Sequence, residues 1–267
     1  MGKLSLGCRI KCLIAPVRNA FVALIDPTGL LSGDAPSIRP NPGVVDAASY
    51  RPTVTAGGIA TIFGYSLAST VASAAAVPFS TVLEGTQVTI GGIGVPLLYV
   101  SPSQINLQIP WELAGQSQAT VVVTTGMGSS TAATINISDT APAIFTANGS
   151  GNGQGVVVDV RGQMALAATP VAGGEYTQIY CLGLGAVANQ PSTGVAVVDA
   201  SSPTLVMPIV TIAGVQVRAS FAGLAPGFAG VYQVNAQVPP GITPGSALPL
   251  TVRVNGAESQ TVTIAVQ

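Results

Sequence analysis

The chain has 267 residues, of which only 7% are charged, and it contains no histidine. Soluble domains average about 25% charged residues, so the deficit is large. The missing histidine excludes a Ser-His-Asp triad, a Cys-His pair and a histidine metal site. A net charge of -1 with nine basic residues gives no footprint for nucleic acid, and three cysteines cannot form a four-thiolate zinc site.

The first 42 residues are basic and irregular. Charged residues end its apolar runs, Arg18 after CLIAPV and Asp26 after NAFVALI, so we predict neither a signal peptide nor a spanning helix there. The prolines of residues 32–43 predict a stiff linker. Apolar runs elsewhere are also short or broken, and we therefore predict an irregular leader and linker over 1–42 and no membrane span in the chain.

An internal repeat dominates the sequence after the linker. Residues 55–69, TAGGIATIFGYSLAS, return as VAGGEYTQIYCLGLGA at 171–186, and similar repeats relate 87–110 to 209–239 and 120–137 to 250–266. The offset grows from 116 between Ala56 and Ala172 to 129 between Gln104 and Gln233. This pattern indicates a duplicated domain whose second copy has longer loops.

Each copy consists of short runs that favour β-strands. Runs such as ATIFGYSL, QVTIGG and INLQIP are rich in Val, Ile, Thr and Leu, and Gly, Pro, Asn and Ser clusters separate them. Asn255-Gly256 between two alternating runs is a strong hairpin signal. We predict an all-β chain of two tandem immunoglobulin-like β-sandwiches over 43–146 and 169–267, with a Gly-rich loop and hairpin connector at 147–168.

Two rows of amide side chains are the candidate site. We call them the first amide row (Gln104, Asn106 and Gln108, followed by Trp111) and the second amide row (Gln233, Asn235 and Gln237). Amides beside an aromatic ring are suited to sugar recognition, but they also satisfy polar groups at interfaces between domains. The amides recur in both copies while Trp111 does not, which favours a role in the fold. An exposed Trp111 beside Gln108 would favour sugar, whereas its burial between the copies would exclude it.

Nothing in the sequence supplies catalytic chemistry. The ten acidic residues are scattered without a close pair for acid–base work. The glycine-rich loop near residue 150 lacks the spacing of a phosphate-binding loop. We therefore predict no enzymatic activity, no cofactor and no metal.

Several long strings resemble one known family. These are NPGVVDAASYRPTVTAGGIATIFGYSLA, PLLYVSPSQINLQIPWEL, APAIFTANGSGNGQG and FAGLAPGFAGVYQVNAQVPPGITPG. They are similar to the uncharacterised C-terminal domain family described from Solibacter and other Acidobacteria, over about residues 43–267. The resemblance implies a C-terminal module of a larger secreted or surface protein, in which each half is similar to the IPT/TIG immunoglobulin-like fold. Residues 19–31, NAFVALIDPTGLL, also resemble the ending of a bacterial β-propeller repeat, which implies the tail of a longer protein.

The composition and the resemblance together lead to two alternative functions. The first is a non-catalytic extracellular structural or interaction module, acting as a stalk, cap or adhesion element. The alternative is a carbohydrate-binding module of a secreted protein. We expect a surface polysaccharide or another extracellular protein as partner and no nucleic acid, and the sequence does not set the oligomeric state.

Overall fold

The structure, a computed structural model, describes residues 34–267. The basic leader up to residue 33 and the segment 19–31 likened to a propeller repeat lie outside the described residues. Strands dominate the described part, and its one helix is a single 3₁₀ turn at Trp111–Leu113. Within residues 34–267 no helix is long and apolar enough to cross a membrane.

The first sandwich is built from thirteen short strands in two sheets. The first sheet has the order β1-β4-β10-β9-β5 with β2 also on β4, and the second has the order β3-β13-β11-β7-β6 with β12 on β11 and β8 on β7. The strands are β1 Ser37–Ile38, β2 Val44–Asp46, β3 Thr53–Val54, β4 Ile59–Tyr65, β5 Ala72–Ser73, β6 Val82–Leu83, β7 Thr86–Ile90, β8 Ile93–Gly94, β9 Leu97–Val100, β10 Gln104–Gln108, β11 Gln118–Thr125, β12 Gly128–Ser129 and β13 Ala133–Ile137.

The second sandwich repeats this plan with ten strands. One sheet has the order β14-β16-β20-β19 with β15 on β16, and the other has the order β18-β17-β21-β22 with β23 on β21. The strands are β14 Ala143–Ile144, β15 Val157–Asp159, β16 Tyr176–Leu182, β17 Ile209–Ile212, β18 Val215–Arg218, β19 Phe221–Leu224, β20 Tyr232–Gln237, β21 Gly245–Val254, β22 Ala257–Glu258 and β23 Val262–Val266. The predicted tandem pair of immunoglobulin-like sandwiches is confirmed.

Alternation along each strand builds the two cores. In β10 and just after it, Ile105, Leu107 and Ile109 are fully buried between the sheets of the first sandwich, as the sequence pattern predicts. Val234 and Ala236 occupy the same positions in the second sandwich and are equally buried. The intervening amides consequently point away from both cores. Whether protein or solvent contacts them depends on how the two sandwiches pack.

Strand pairing extends each repeat towards its N-terminus. Ser37–Ile38, within the predicted linker, pairs with β4, and Ala143–Ile144 pairs with β16 in the same way. The tripeptide Val-Val-Asp also recurs, as β2 beside β4 and as β15 beside β16. The prolines at 36 and 142 precede rather than interrupt these edge strands, so each proline-containing stretch joins a sheet. We therefore refer to residues 34–140 as the first sandwich and to 141–267 as the second.

Hydrogen bonds give the register between the two repeats. The bond from the Gly57 amide to the Ile109 carbonyl is repeated from Gly174 to Val238, both at 2.9 Å. Equivalent residues are thus 117 apart at Gly57 and Gly174, where the sequence comparison gave 116. The offset becomes 122 at Thr89 and Thr211.

From the amide rows onward the offset stays at 129. The second sandwich therefore carries five extra residues within 183–208 and seven more in the hairpin 223–232. The predicted lengthening of loops in the second copy is located in these two places.

Candidate functional site

The first amide row lies at the interface between the two sandwiches. Gln108 has no exposed surface, and Asn106 is 4% exposed. The Gln108 Nε2 group donates to the Gly57 carbonyl at 2.9 Å, and its Oε1 accepts from the Gly194 backbone amide at 2.6 Å. Gly194 belongs to the second sandwich, so this one side chain joins the two halves of the chain.

Trp111 follows β10 in the 3₁₀ turn and is only 5% exposed. Its ring belongs to the hydrophobic cluster that forms the core of the second sandwich. Its backbone amide donates to Thr193 Oγ1 at 3.0 Å, and the Thr193 hydroxyl donates to Glu112 Oε2 at 2.8 Å. The Trp111 indole nitrogen has no hydrogen-bond partner within residues 34–267. Trp111 is an anchor between the sandwiches, and neither it nor Gln108 offers a surface to a sugar.

Two glycines allow this close approach. Gly57 has a φ of +75°, and a Cβ at this position would lie 2.3 Å from carbons of the Trp111 ring. Gly230 of the second sandwich has a φ of +72°, and its Cβ would lie 2.3 Å from the Gly57 carbonyl oxygen. Both positions therefore require glycine for conformation and for space.

A separate hydrophobic cluster spans the junction. Ile59 and Ala48 of the first sandwich pack in it with Phe145, Tyr180 and Phe228 of the second. The Tyr50 hydroxyl also crosses the junction and donates to the Gly149 carbonyl at 2.7 Å. Since the shared cluster is built from buried side chains of both halves, the two sandwiches pack directly against each other.

The extra residues of the second sandwich form much of this interface. Thr193 and Gly194 lie in the lengthened segment 183–208, and Phe228 and Gly230 lie in the lengthened hairpin 223–232. The growing offset between the repeats was the sequence signal for these contacts. It showed that loops had lengthened, but which surface they cover depends on the packing of the two sandwiches.

The second amide row repeats the internal bonds of the first. Gln104 Nε2 donates to Asn106 Oδ1 at 2.8 Å, and Gln233 Nε2 donates to Asn235 Oδ1 at the same distance. The bond from Gln108 to Gly57 corresponds to a bond of 2.8 Å from Gln237 Nε2 to the Gly174 carbonyl. The second row nevertheless stays open: Gln233 and Asn235 are half-buried and Gln237 is exposed.

Aromatic and amide side chains surround the second row on the same sheet face. We call this surface the amide face and define it by the outward side chains of β16, β19 and β20: Tyr176, Gln178, Tyr180, Phe221, Gln233, Asn235 and Gln237. Tyr176 is 47% exposed, while Tyr180 is buried and donates its hydroxyl to Gln178 Oε1 at 3.2 Å. Burial raises the pKa of Tyr180 to about 12, so its hydroxyl remains a donor at neutral pH.

The described residues offer hydrogen-bonding chemistry but little acid–base chemistry. Within residues 34–267 one ion pair forms, between Arg161 and Asp159 at 2.8 Å, and no group of three His, Cys, Asp or Glu side chains could hold a metal ion. Cys181 is fully buried, and burial raises the pKa of its thiol. Cys181 thus acts as a small core residue and not as a nucleophile.

An apolar cleft also opens beside the junction. Its volume is about 140 Å³, and its walls include Leu98 and Tyr99 of the first sandwich and Phe228 and Val231 of the second. Because the lining is mainly apolar, this cleft suits a small apolar group and has few polar atoms to orient one.

Residues 45–137 match the IPT/TIG domain family. This match covers most of the first sandwich and about a third of the chain. No curated protein matches the chain.

Solved structures share the fold at a distance. A surface glycan-binding protein of Bacteroides ovatus, solved with a mixed-linkage heptasaccharide, is 14% identical with a TM-score of 0.36 over 88% of this chain and 46% of that chain. A surface glycan-binding protein of Prevotella bryantii is 9% identical with a TM-score of 0.28, over 87% of this chain and 42% of that one. The Ig1-2 module of the Drosophila receptor phosphatase DLAR is 14% identical with a TM-score of 0.22, over 87% of this chain and 99% of that one. The chain spans less than half the length of the two glycan-binding proteins, and we infer no function from these likenesses.

Proposed function

We propose that the chain is a non-catalytic structural and interaction module in which two immunoglobulin-like sandwiches act as one rigid unit. The observation that carries the proposal is the burial of Gln108 and Trp111 of the first sandwich against the second. A flexible tandem would expose these groups to solvent. Here the second sandwich donates a hydrogen bond to Gln108 Oε1 and packs around the Trp111 ring, which suits a spacer or cap that transmits orientation.

The resemblance to the Acidobacteria C-terminal domain family supports a proposal about where this module occurs. It leads us to propose that the module is the C-terminal part of a larger secreted or surface protein. Labelling of intact cells with an antibody against residues 43–267 tests the setting. Staining only after the cells are permeabilised would contradict a surface location.

Equilibrium unfolding tests the rigid unit. Trp111 is the only tryptophan of the chain, so its fluorescence reports on the junction, whereas far-UV circular dichroism reports on all strands. We expect both signals to change in one coincident transition with urea, because the Trp111 ring and the shared junction cluster couple the two cores. Loss of the Trp111 signal at clearly lower urea than the strand signal would show that the sandwiches are independent.

Carbohydrate binding is the second candidate function. One observation favours it, namely the second amide row, which stays open beside the exposed ring of Tyr176. Trp111 is buried between the copies, which by the criterion set from the sequence excludes a sugar site at Gln108 and Trp111, so the first row does not contribute. The candidate site therefore moves from Gln108 and Trp111 to the amide face.

A further inference from the structure

The two sheet faces that carry the amide rows differ in the polarity of their neighbouring side chains. In the strand register, Ile59, Thr61 and Phe63 of β4 correspond to Tyr176, Gln178 and Tyr180 of β16. Ile59 lies in the hydrophobic cluster at the junction. Ile59 and Phe63 have apolar side chains where Tyr176 and Tyr180 end in hydroxyl groups. Tyr180 is itself buried in the junction cluster, so the open part of the second face consists of Tyr176, Gln178 and the second amide row.

The amide face also has unused hydrogen-bonding groups. The known bonds of Gln178, Gln233 and Gln237 use one polar atom of each amide. Within residues 34–267 the Gln178 and Asn235 amino groups and the Gln233 and Gln237 carbonyl oxygens make no hydrogen bond. In the first row the equivalent oxygen, Gln108 Oε1, accepts a hydrogen bond from the Gly194 amide. Two donors and two acceptors are therefore available on this face.

The face is neutral and has the extent of a short oligosaccharide. β16, β19 and β20 contain no charged residue. From Gln233 to Gln237 the row runs about 13 Å along β20, and three adjacent strands give a width of about 10 Å. Tyr176 and Phe221 add apolar ring surface at its margins. Phe221 folds across Gly223, where a Cβ would lie 2.8 Å from its ring.

We propose that the amide face binds a neutral polysaccharide, a proposal that rests on the interaction role proposed above and names its ligand class. Sugar hydroxyls both donate and accept, which matches the alternating amide groups, and the C–H faces of pyranose rings pack on aromatic side chains. The three strands of the face offer no cationic side chain to an acidic polysaccharide. A further protein domain would lack the anchor that Trp111 provides in the first sandwich, since proline follows at the equivalent position 240.

The test measures binding of the full chain to soluble mixed-linkage β-glucan, xyloglucan and galactomannan by affinity electrophoresis and calorimetry, with polygalacturonate as the acidic comparison. We expect binding to at least one neutral polymer and none to polygalacturonate. The double variant Gln233→Ala/Asn235→Ala and the variant Tyr176→Ala should each weaken binding by about tenfold or more, which corresponds to the loss of one or two contacts.

Matched controls come from the first sandwich. Gln104→Ala removes the residue equivalent to Gln233, and Tyr65→Ala removes a tyrosine that is 57% exposed. Neither should change binding. Gln237→Ala, at an exposed position, gives a further test should the double variant fold poorly.

Three results would overturn the proposal: no binding to any neutral polymer, preferential binding to polygalacturonate, or equal losses in the control and amide-face variants. None of them would affect the rigid unit, which is tested by coincident unfolding without any ligand. Separate unfolding transitions with intact glycan binding would instead remove the rigid unit and keep the site.

Discussion

Replacing Gln108 by alanine tests how strongly one buried amide joins the two sandwiches. The side chain has no exposed surface and holds the Gly57 carbonyl at 2.9 Å and the Gly194 amide at 2.6 Å. Alanine leaves both backbone groups without this partner in a site that excludes water. A buried unpaired polar group costs about 1–3 kcal/mol, so we expect a loss of about 4 kcal/mol in the free energy of unfolding.

The chain contains its own control for this substitution. Gln237 occupies the equivalent position and donates to Gly174 at 2.8 Å, but it is exposed and contacts no other sandwich through its oxygen. Water replaces its bond in Gln237→Ala, so the cost should be about 1 kcal/mol or less. The difference of about 3 kcal/mol between the two variants is then the contribution of the junction.

Urea unfolding followed by Trp111 fluorescence and circular dichroism measures both variants. The difference of about 3 kcal/mol corresponds to a Tm about 6–12 °C lower for Gln108→Ala than for Gln237→Ala in a chain of this size, which a thermal scan checks independently. Gln108→Ala should also move the fluorescence transition ahead of the strand transition. If Gln108→Ala and Gln237→Ala cost the same, Gln108 does not join the sandwiches and the rigid unit loses its main support.

Three further predictions follow from the same geometry. Gly57→Ala places a methyl group against the Trp111 ring and should lower the free energy of unfolding by about 3 kcal/mol or more. Gly174 has a φ of +86° and open space around it, so Gly174→Ala should cost only the conformational strain of about 1 kcal/mol. Equal losses of Tm in the two variants would contradict the close contact of Gly57 with Trp111. The pKa of Tyr180 is about 12 in the folded chain and about 10 when unfolded, so its contribution to stability is present below pH 10 and is lost as the pH rises towards 12. Tyr180→Phe should therefore lose less stability than wild type between pH 10 and 12 in urea titrations, and an unchanged loss would show that Tyr180 is not the responsible group. Cys181 should resist iodoacetamide at pH 8 in the native chain and react in urea, as followed by peptide mass spectrometry; rapid native alkylation would contradict its burial.

The fold followed from the sequence because its signals are local. Alternation placed Ile105, Leu107 and Ile109 in a core, and the structure buries all three completely. The first strand of each repeat was harder to predict. The prolines of residues 32–43 suggested a linker, and residues 143–146 were assigned to the end of the first sandwich. Ser37–Ile38 and Ala143–Ile144 are edge strands of two residues, too short for any periodicity to appear.

The site could be predicted only in part. The sequence identified both amide rows and the alternatives of sugar and interface, but it treated the rows as equivalent. Their difference arises from the segment around Gly194 and the hairpin around Gly230, which cover one row and leave the other open. This coverage depends on how two complete sandwiches pack, and no window of sequence contains that information.

The amide chemistry explains how one strand pattern serves both situations. A carboxylate or an ammonium group at position 108 would cost several kcal/mol to bury, and aliphatic side chains at 233 and 237 would leave an apolar surface in water. Glutamine avoids both penalties. When it is buried, as at position 108, its oxygen accepts a hydrogen bond from the Gly194 amide and its amino group donates one to the Gly57 carbonyl. When it is exposed, both ends of the amide hydrogen-bond with water. A duplicated domain can therefore cover one copy of the row and expose the other without changing it. The low charge of the chain is consistent with this use of neutral polar groups, because a row of charged side chains would be too costly to bury and could only remain exposed to solvent.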